Sequence, residues 1–284
     1  MSATPLLRFY GHSTVLLELD GLRILTDPLL VDHLGPLHRH GERPSPALRD
    51  LAVDVVLISH GHRDHLHLPS LRLLAGRPKM VAPAGLGDVL RRAGHDVAEL
   101  RVGDSVHFGP LTVVAIRADH AGGLLPLRGS RAALGFRIDG SVRVYFAGDT
   151  DLFPEMSALA GTVDVALLPV WGWGPLLGVG HLDPLRAAQA VSLIRPRLAV
   201  PIHWGTFYPF GLARIWPQPL ERPPNDFARE VARVAPDTEV RIVKPGEATE
   251  LSWTTGRPFD GADQGSRFGH GGSRSAASTS DGAP

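Results

Sequence analysis

The sequence predicts a mixed α/β fold, and three observations carry that prediction. Short apolar runs rich in Val, Ile and Leu, such as Val55–Ile58, Val163–Leu168 and Leu198–Ile202, read as buried strands. Segments with helical spacing fall between them, and Pro184–Ile194 is the clearest. The chain has 284 residues and is 43% hydrophobic, enough for one large domain or two small ones with a substantial core.

In order, Leu6–Tyr10, Val15–Leu19 and Arg23–Thr26 are expected as strands. Gly11-His12-Ser13-Thr14 and Asp20-Gly21 supply the turns, the second being a good hairpin signal. Pro28 ends the third strand because it cannot donate to a ladder. Residues 31–50 carry Gly, Pro, His and Arg without period, so a loop is expected, with His33, His38 and His40 exposed on it. Leu68–Leu74 reads as a short helix, Met80–Ala82 as a strand and Gly87–Ala93 as a helix. Val102–Phe108 pairs with Leu111–Ala118 across Gly109-Pro110, and Leu134–Ile138 with Val142–Phe146 across Asp139-Gly140. Phe153–Ala160 is expected as helical. Thr206–Pro224, rich in Pro and aromatics, reads as an irregular loop. Asn225 is expected to cap a helix over Asp226–Val234, and Glu239–Val243 to be the last strand. From about Gly256 the chain is Gly, Ser, Asp, Arg and Ala with almost nothing to form a core. The expected organisation is one domain over 1–255 and a disordered tail over 256–284, in which His270 has no assigned role.

Lys+Arg and Asp+Glu both number 29, which argues against bulk nucleic acid or an anionic membrane as a dominant electrostatic partner. There are no cysteines, so disulfides and Cys-ligated zinc are excluded. The N-terminal residues lack a long apolar signal region and no stretch approaches 18 uninterrupted apolar residues. The expectation is a cytoplasmic protein without a transmembrane segment, and no oligomeric state is read from the sequence.

The densest chemistry follows the Val55–Ile58 run. Ser59 ends the strand, and His60, His62, Asp64 and His65 then fall within six positions. A loop leaving a buried strand can turn all four toward one point. Neutral imidazoles and a carboxylate suit Zn²⁺ and similar divalent metals. His60-x-His62-x-Asp64-His65 resembles the signature of the metallo-β-lactamase fold superfamily. That resemblance implies a four-layer αββα sandwich, with further ligands at the ends of later strands. The chain offers His120 before Gly122-Gly123, Asp149 in Gly148-Asp149-Thr150, and His203 after Val200-Pro201-Ile202. Carried over, His60, His62 and His120 hold one metal, Asp64, His65 and His203 hold a second, and Asp149 bridges them. Two divalent ions are therefore expected, Zn²⁺ first, with Mn²⁺ and Fe²⁺ also suited to these donors. Two cations roughly 3.5–4 Å apart lower the pKa of a shared water from 15.7 toward about 7, and the hydroxide attacks a carbonyl or phosphoryl centre. No Ser or Cys nucleophile is needed, and the sequence has no G-x-S-x-G elbow.

Three further stretches bear on substrate. Tyr10-Gly11-His12-Ser13-Thr14 through Glu18, followed by Ile24-Leu25-Thr26-Asp27-Pro28, is similar to the branch holding N-acylphosphatidylethanolamine phospholipase D-like and ascorbate-6-phosphate lactonase-like proteins. Asp27 is expected to fix the tautomer of a ligand histidine, and His12 to line the same end. Trp171, Trp173 and His181 lie in a loop that borders the substrate pocket in that branch. His181 would donate to a phosphate or oxyanion, and the two tryptophans would form an apolar wall. Thr206–Pro224 would form a pocket rim. The resemblance thus makes Asp64 and His181 the expected catalytic residues. The leading expectation is a binuclear hydrolase of a phosphodiester, such as an N-acylphosphatidylethanolamine-like lipid, or of an ester. A lactonase, a nuclease and a non-catalytic metal sensor are the alternatives, and no insertion resembling the β-CASP module of nucleic-acid-processing members is present.

Overall fold

The computed structural model describes residues 4–43, 50–120 and 133–252. The expected tail over 256–284 lies outside the described residues, as do 121–132.

Two seven-stranded sheets form the centre. The first runs β17 (Ala248–Glu250), β1 (Leu6–Gly11), β2 (Thr14–Leu19), β3 (Leu22–Thr26), β6 (Val55–Leu57), β7 (Lys79–Pro83), β8 (Val97–Leu100). The second runs β16 (Glu239–Val240), β14 (Leu198–Ile202), β13 (Val165–Pro169), β12 (Val144–Phe146), β11 (Leu134–Asp139), β10 (Leu111–Arg117), β9 (Ser105–Phe108). In each sheet one half is antiparallel, built from hairpins, and the other is parallel. Parallel neighbours need crossovers. Helices α1 (Leu68–Leu71) and α2 (Gly87–Arg92) lie in the β6–β7 and β7–β8 crossovers of the first sheet, and α3 (Pro184–Ile194) and α4 (Gln218–Val234) in the β13–β14 and β14–β16 crossovers of the second.

Period-two alternation decides which way each strand of the first sheet faces. Leu7, Phe9, Leu17, Ile24, Leu57 and Val81 turn inward to meet Val113, Phe136 and Ile138 of the second sheet. Leu16, Leu25, Val56, Met80 and Ala82 turn outward, against Leu71, Leu86 and Leu90. Outside the second sheet, Ala187 and Val191 of α3 and Phe227 and Val231 of α4 join the same core. The result is the αββα sandwich.

The structure corrects several expectations. The 31–50 stretch is no plain loop: β4 (His33–Leu34) and β5 (Leu37–Arg39) form a hairpin that pairs with β15 (Phe207–Pro209). His33 is exposed there, but His38 and His40 are half-buried. These strands are too short for a period to show. The Thr206–Pro224 loop likewise contains β15, a 3₁₀ turn over Leu212–Arg214 and the start of α4. Asn225 is not a cap. It lies mid-helix, with Nδ2 donating to the Glu221 carbonyl. The prolines hid this helix. Pro219 sits in the first turn, where an N–H has no intrahelical partner anyway, and Pro223 and Pro224 follow one turn later, buried against the body. The first predicted helix stops at Leu71, Phe153–Ala160 is a 3₁₀ turn over Pro154–Leu159, and β16 is only two residues long. β8 and β17 are edge strands that the sequence reading lacked.

Candidate metal centre

Strands from both sheets end at one edge of the sandwich, and the chemistry-bearing residues sit just beyond those ends. His12 follows β1, Asp27 follows β3, and Ser59 to His65 follow β6. His120 follows β10, Asp149 follows β12 and His203 follows β14. Turning the chain so sharply uses uncommon backbone. His12, Asp27 and His203 have φ of 56°, 33° and 62°, a region that side-chain-bearing residues rarely occupy. Gly148 (φ +61°) precedes Asp149 because a Cβ there would lie 2.6 Å from Ser59 Cβ.

The imidazoles converge with their acceptor nitrogens facing one another. His60 Nε2 lies 2.7 Å from His62 Nδ1, and His120 Nε2 lies 3.2 Å from the same atom. His65 Nε2 and His203 Nε2 are 3.3 Å apart. The outward nitrogens explain the orientation. His60 Nδ1 donates to Ser59 Oγ (3.0 Å), His65 Nδ1 to Asp27 Oδ2 (2.7 Å), His120 Nδ1 to the Gly180 carbonyl (2.8 Å) and His203 Nδ1 to the Trp171 carbonyl (2.7 Å). With Nδ1 hydrogen-bonded outward, each ring turns its other nitrogen inward, where its neutral form offers a lone pair. Asp27 is wholly buried and also accepts from Ser59 N and Oγ. Ser59 is thus a site residue that the sequence reading passed over as a strand end.

Burial holds His60, His62 and His120 below the ordinary histidine value and pushes His203 down to about 3. Burial also disfavours a charged His65, but Asp149, Asp64 and Asp27 surround that ring and hold it well above the ordinary value. Burial alone would raise Asp64 and Asp149, yet His65 and His12 around the first, and His203, His65 and His181 around the second, hold both far below the usual carboxylate range. Three carboxylates packed among mostly neutral rings leave negative charge that a buried cation neutralises. Ring nitrogens facing one another at these distances also suit a cation between them. Among the described residues His62 Nε2 and Asp149 Oδ1 are buried and have no hydrogen-bond partner. Around a tetrahedral metal with bonds near 2.1 Å, donors stand about 3.4 Å apart, close to the spacings found here. The donor set therefore fits divalent metal.

Ligand-type atoms within 4.8 Å of one another form overlapping groups: His60, His62 and His120; His12, Asp64, His65 and His203; His60, His65 and Asp149; and His120, Asp149 and His181. All seven ligand positions expected from the sequence are thus together. His12 Nε2 lies 3.0 Å from Asp64 Oδ2. His181 is half-buried, 22% exposed at its side chain, with Nε2 3.5 Å from Asp149 Oδ2 and Nδ1 3.2 Å from the Gly178 carbonyl. Burial opposes its charged form, but contact with Asp149 prevails and raises it above the ordinary value. Asp183, just beyond, caps α3 through Arg186 N. Trp171 is half-buried, its Nε1 donating to the Gly174 carbonyl, so its ring is anchored from within. Trp173 is 46% exposed.

A two-sheet sandwich carrying histidines and aspartates of both halves at one strand-end edge defines the metallo-β-lactamase class of fold. Residues 22–204 match the family profile described as the beta-lactamase superfamily domain, and the chain belongs to that superfamily. An uncharacterized protein of Mycobacterium tuberculosis is 36% identical over 232 residues, 75% of this chain, and the chain spans only 62% of that relative's length. A protein of Desulforamulus reducens named a UPF0173 metal-dependent hydrolase is 32% identical over 86% of this chain and 99% of its own. The N-acyl-phosphatidylethanolamine-hydrolyzing phospholipase D 1 of Caenorhabditis elegans is 30% identical over 85% of this chain and 74% of its own. Among solved structures, the metallo hydrolase Igni18 of Ignicoccus hospitalis superposes with a TM-score of 0.67 at 25% identity, covering 89% of this chain and 100% of its own.

Proposed function

We propose that this chain is a metal-dependent hydrolase with two metal positions, one at His60, His62 and His120, the other at Asp64, His65 and His203, with Asp149 between them. The reach of Asp149 carries this reading. Its Oδ2 lies 3.9 Å from His60 Nε2 and 3.1 Å from His65 Nε2, and its Oδ1 lies 3.3 Å from His203 Nε2, so one carboxylate touches both donor sets. When bound, two divalent cations supply an acidified water and polarise a phosphoryl or carbonyl oxygen. Zn²⁺ suits these donors first, and Mn²⁺ or Fe²⁺ also fits them.

The remaining work falls to the chain. Asp27, Ser59 and the carbonyls of Trp171 and Gly180 hold the rings in one tautomer. His12 donates from Nε2 to Asp64 and steadies that carboxylate. His181, half open and facing acceptors with both nitrogens, donates from Nε2 to the substrate oxygen on which charge develops.

A phosphodiester with an apolar chain is the substrate class we favour. The C. elegans relative is named for such a lipid. Trp173, Leu176 and Val179, beside His181, are exposed, as are Phe210, Ile215 and Trp216, which follow His203. β13 and β14 are parallel neighbours, so the segments that follow them leave at the same end as the centre. Apolar side chains at that edge suit an acyl chain. The test is turnover by the metal-loaded full chain of bis(p-nitrophenyl) phosphate, of N-acylphosphatidylethanolamine in mixed micelles and of a lactone panel. Phosphodiester turnover that rises with acyl length is expected. Preferential lactone turnover would overturn the substrate class, and no turnover with Zn²⁺, Mn²⁺ or Fe²⁺ would overturn the hydrolase reading.

A further inference from the structure

Arg39, in β5, is buried to 8% exposure. Among the described residues its guanidinium donates to three main-chain carbonyls, with Asp32 acting on it electrostatically. Nε donates to Val31 O (2.9 Å), Nη1 to Tyr10 O (3.1 Å) and Nη2 to Leu29 O. The face of the guanidinium packs 4.7 Å from the Phe207 ring centre. Desolvation pushes its pKa down to about 10, so burying this group is costly and needs a reason.

The three carbonyls show where that reason lies. Tyr10 is two residues before His12, and Leu29 is two residues after Asp27. Both segments leave regular strand geometry to place a site residue at positive φ, which takes carbonyls out of the ladder. Thr206 works from the other sheet. Its Oγ1 accepts from His12 N (2.7 Å) and donates to Trp204 O (3.0 Å), and its carbonyl accepts from His40 N (2.6 Å). His203 N donates to the His12 carbonyl (2.7 Å). Gly11 has no room for a side chain, since a Cβ would lie 2.6 Å from Thr206 Oγ1 and 3.3 Å from Arg39 Nη1. Together these contacts tie the ends of β1, β3 and β14 into one unit. That unit contains His12, which holds Asp64, Asp27, which holds His65, and His203 itself. The His60, His62 and His120 group is tied to this unit less directly: His60 reaches it through Ser59, which donates to Asp27, and His120 is held by the Gly180 carbonyl.

We infer that Arg39, with Thr206, is a positioning residue that sets the affinity of the Asp64–His65–His203 metal position far more than that of the His60–His62–His120 position. This rests on the two-position reading above. A planar guanidinium with five donors can span three carbonyls; an ammonium cannot hold the same fork.

The experiment is stepwise Zn²⁺ titration of metal-stripped full-length protein against a chromogenic chelator, with circular dichroism recorded on each sample. Wild type should take up two equivalents. Fewer would overturn the two-position reading itself, before any variant is made. In Arg39→Met the tighter or looser step belonging to the second position should weaken about 10–100-fold, the range for lost ligand support, while the other step stays within threefold. Arg39→Lys should lie between. Thr206→Val, which keeps the shape and removes the acceptor for His12 N, should show the same selective loss and serves if Arg39→Met does not fold. Both steps unchanged in folded variants, or both weakened alike, would overturn the inference and leave Arg39 a purely structural residue. The Co²⁺ form gives a second readout: the visible spectrum of one site should change on substitution and the other should not.

Discussion

His203 and His181 both face Asp149, yet their second nitrogens separate their roles. His203 Nδ1 is tied to Trp171 O at 2.7 Å inside a buried ring, whereas His181 sits 3.2 Å from Gly178 O and is 22% exposed. We therefore expect His181→Ala to lower kcat about 10²-fold or more with metal content unchanged, read by steady-state kinetics beside elemental analysis. Metal loss in that variant would make His181 a ligand instead. The residues that gather at the candidate centre were legible in the sequence because His60-x-His62-x-Asp64-His65 concentrates donor chemistry at one strand end, and because His120, Asp149 and His203 each lie at the end of a later strand-like run. Ser59, Arg39 and Thr206 were not legible. Their roles lie in contacts between segments distant in sequence, such as Arg39–Tyr10 at 29 residues, Ser59–Asp27 at 32 and His12–Thr206 at 194. An arginine in an aperiodic stretch carries no local sign that it will be buried.

Elements put these residues in register. β12 can deliver Asp149 only through Gly148, whose missing side chain lets the strand end pass Ser59 and whose φ of +61° suits glycine. Gly148→Ala should destabilise the fold by about 2–3 kcal/mol and disturb the metal centre together, measured by urea unfolding and metal content. A change in neither would contradict the account. At the opposite end of β13, Asp164 takes hydrogen bonds from Arg143 N, Nε and Nη2 at 2.9, 3.0 and 2.9 Å. Burial opposes its charge, but Arg143 prevails and holds the carboxyl below its ordinary value. A lowered folded pKa means stability that is present above the unfolded value near pH 4 and lost as pH falls through the folded one. Asp164→Asn should cost about 1–2 kcal/mol at pH 7 and progressively less below pH 4, by unfolding titrations at several pH values. A pH-independent cost would remove the charge from the argument. Period-two alternation made the long strands legible, and Pro184–Ile194 and Leu198–Ile202 have the predicted bounds. β4, β5 and β15 are two or three residues long and exist by pairing with each other, which no local pattern encodes. α4 was hidden because its prolines are tolerated near an N-terminus that only packing reveals.

At the scale of the molecule, two sheets meet so that strands from each end at one edge, and the seams of that edge are filled by charge rather than by apolar packing. Among the described residues no helix is long and apolar enough to cross a membrane. On the two-metal reading proposed above, binding energy at the centre adds to folding energy: each metal held at a thousand times its Kd would add about 4 kcal/mol. With about 2–4 °C per kcal/mol for a domain of this size, stripping metal should lower Tm by on the order of 10 °C or more, seen by calorimetry with and without chelator. An unchanged Tm would mean that the centre is held by the scaffold alone. The most direct test of the central claim is the metal-to-protein ratio of the purified full chain after exhaustive dialysis, measured by inductively coupled plasma mass spectrometry for the wild type and for Asp149→Asn. The account expects about two divalent ions per chain in the wild type and clearly fewer in the variant. A wild type that holds none or one after added Zn²⁺, Mn²⁺ or Fe²⁺, or a variant that still holds two, would contradict it.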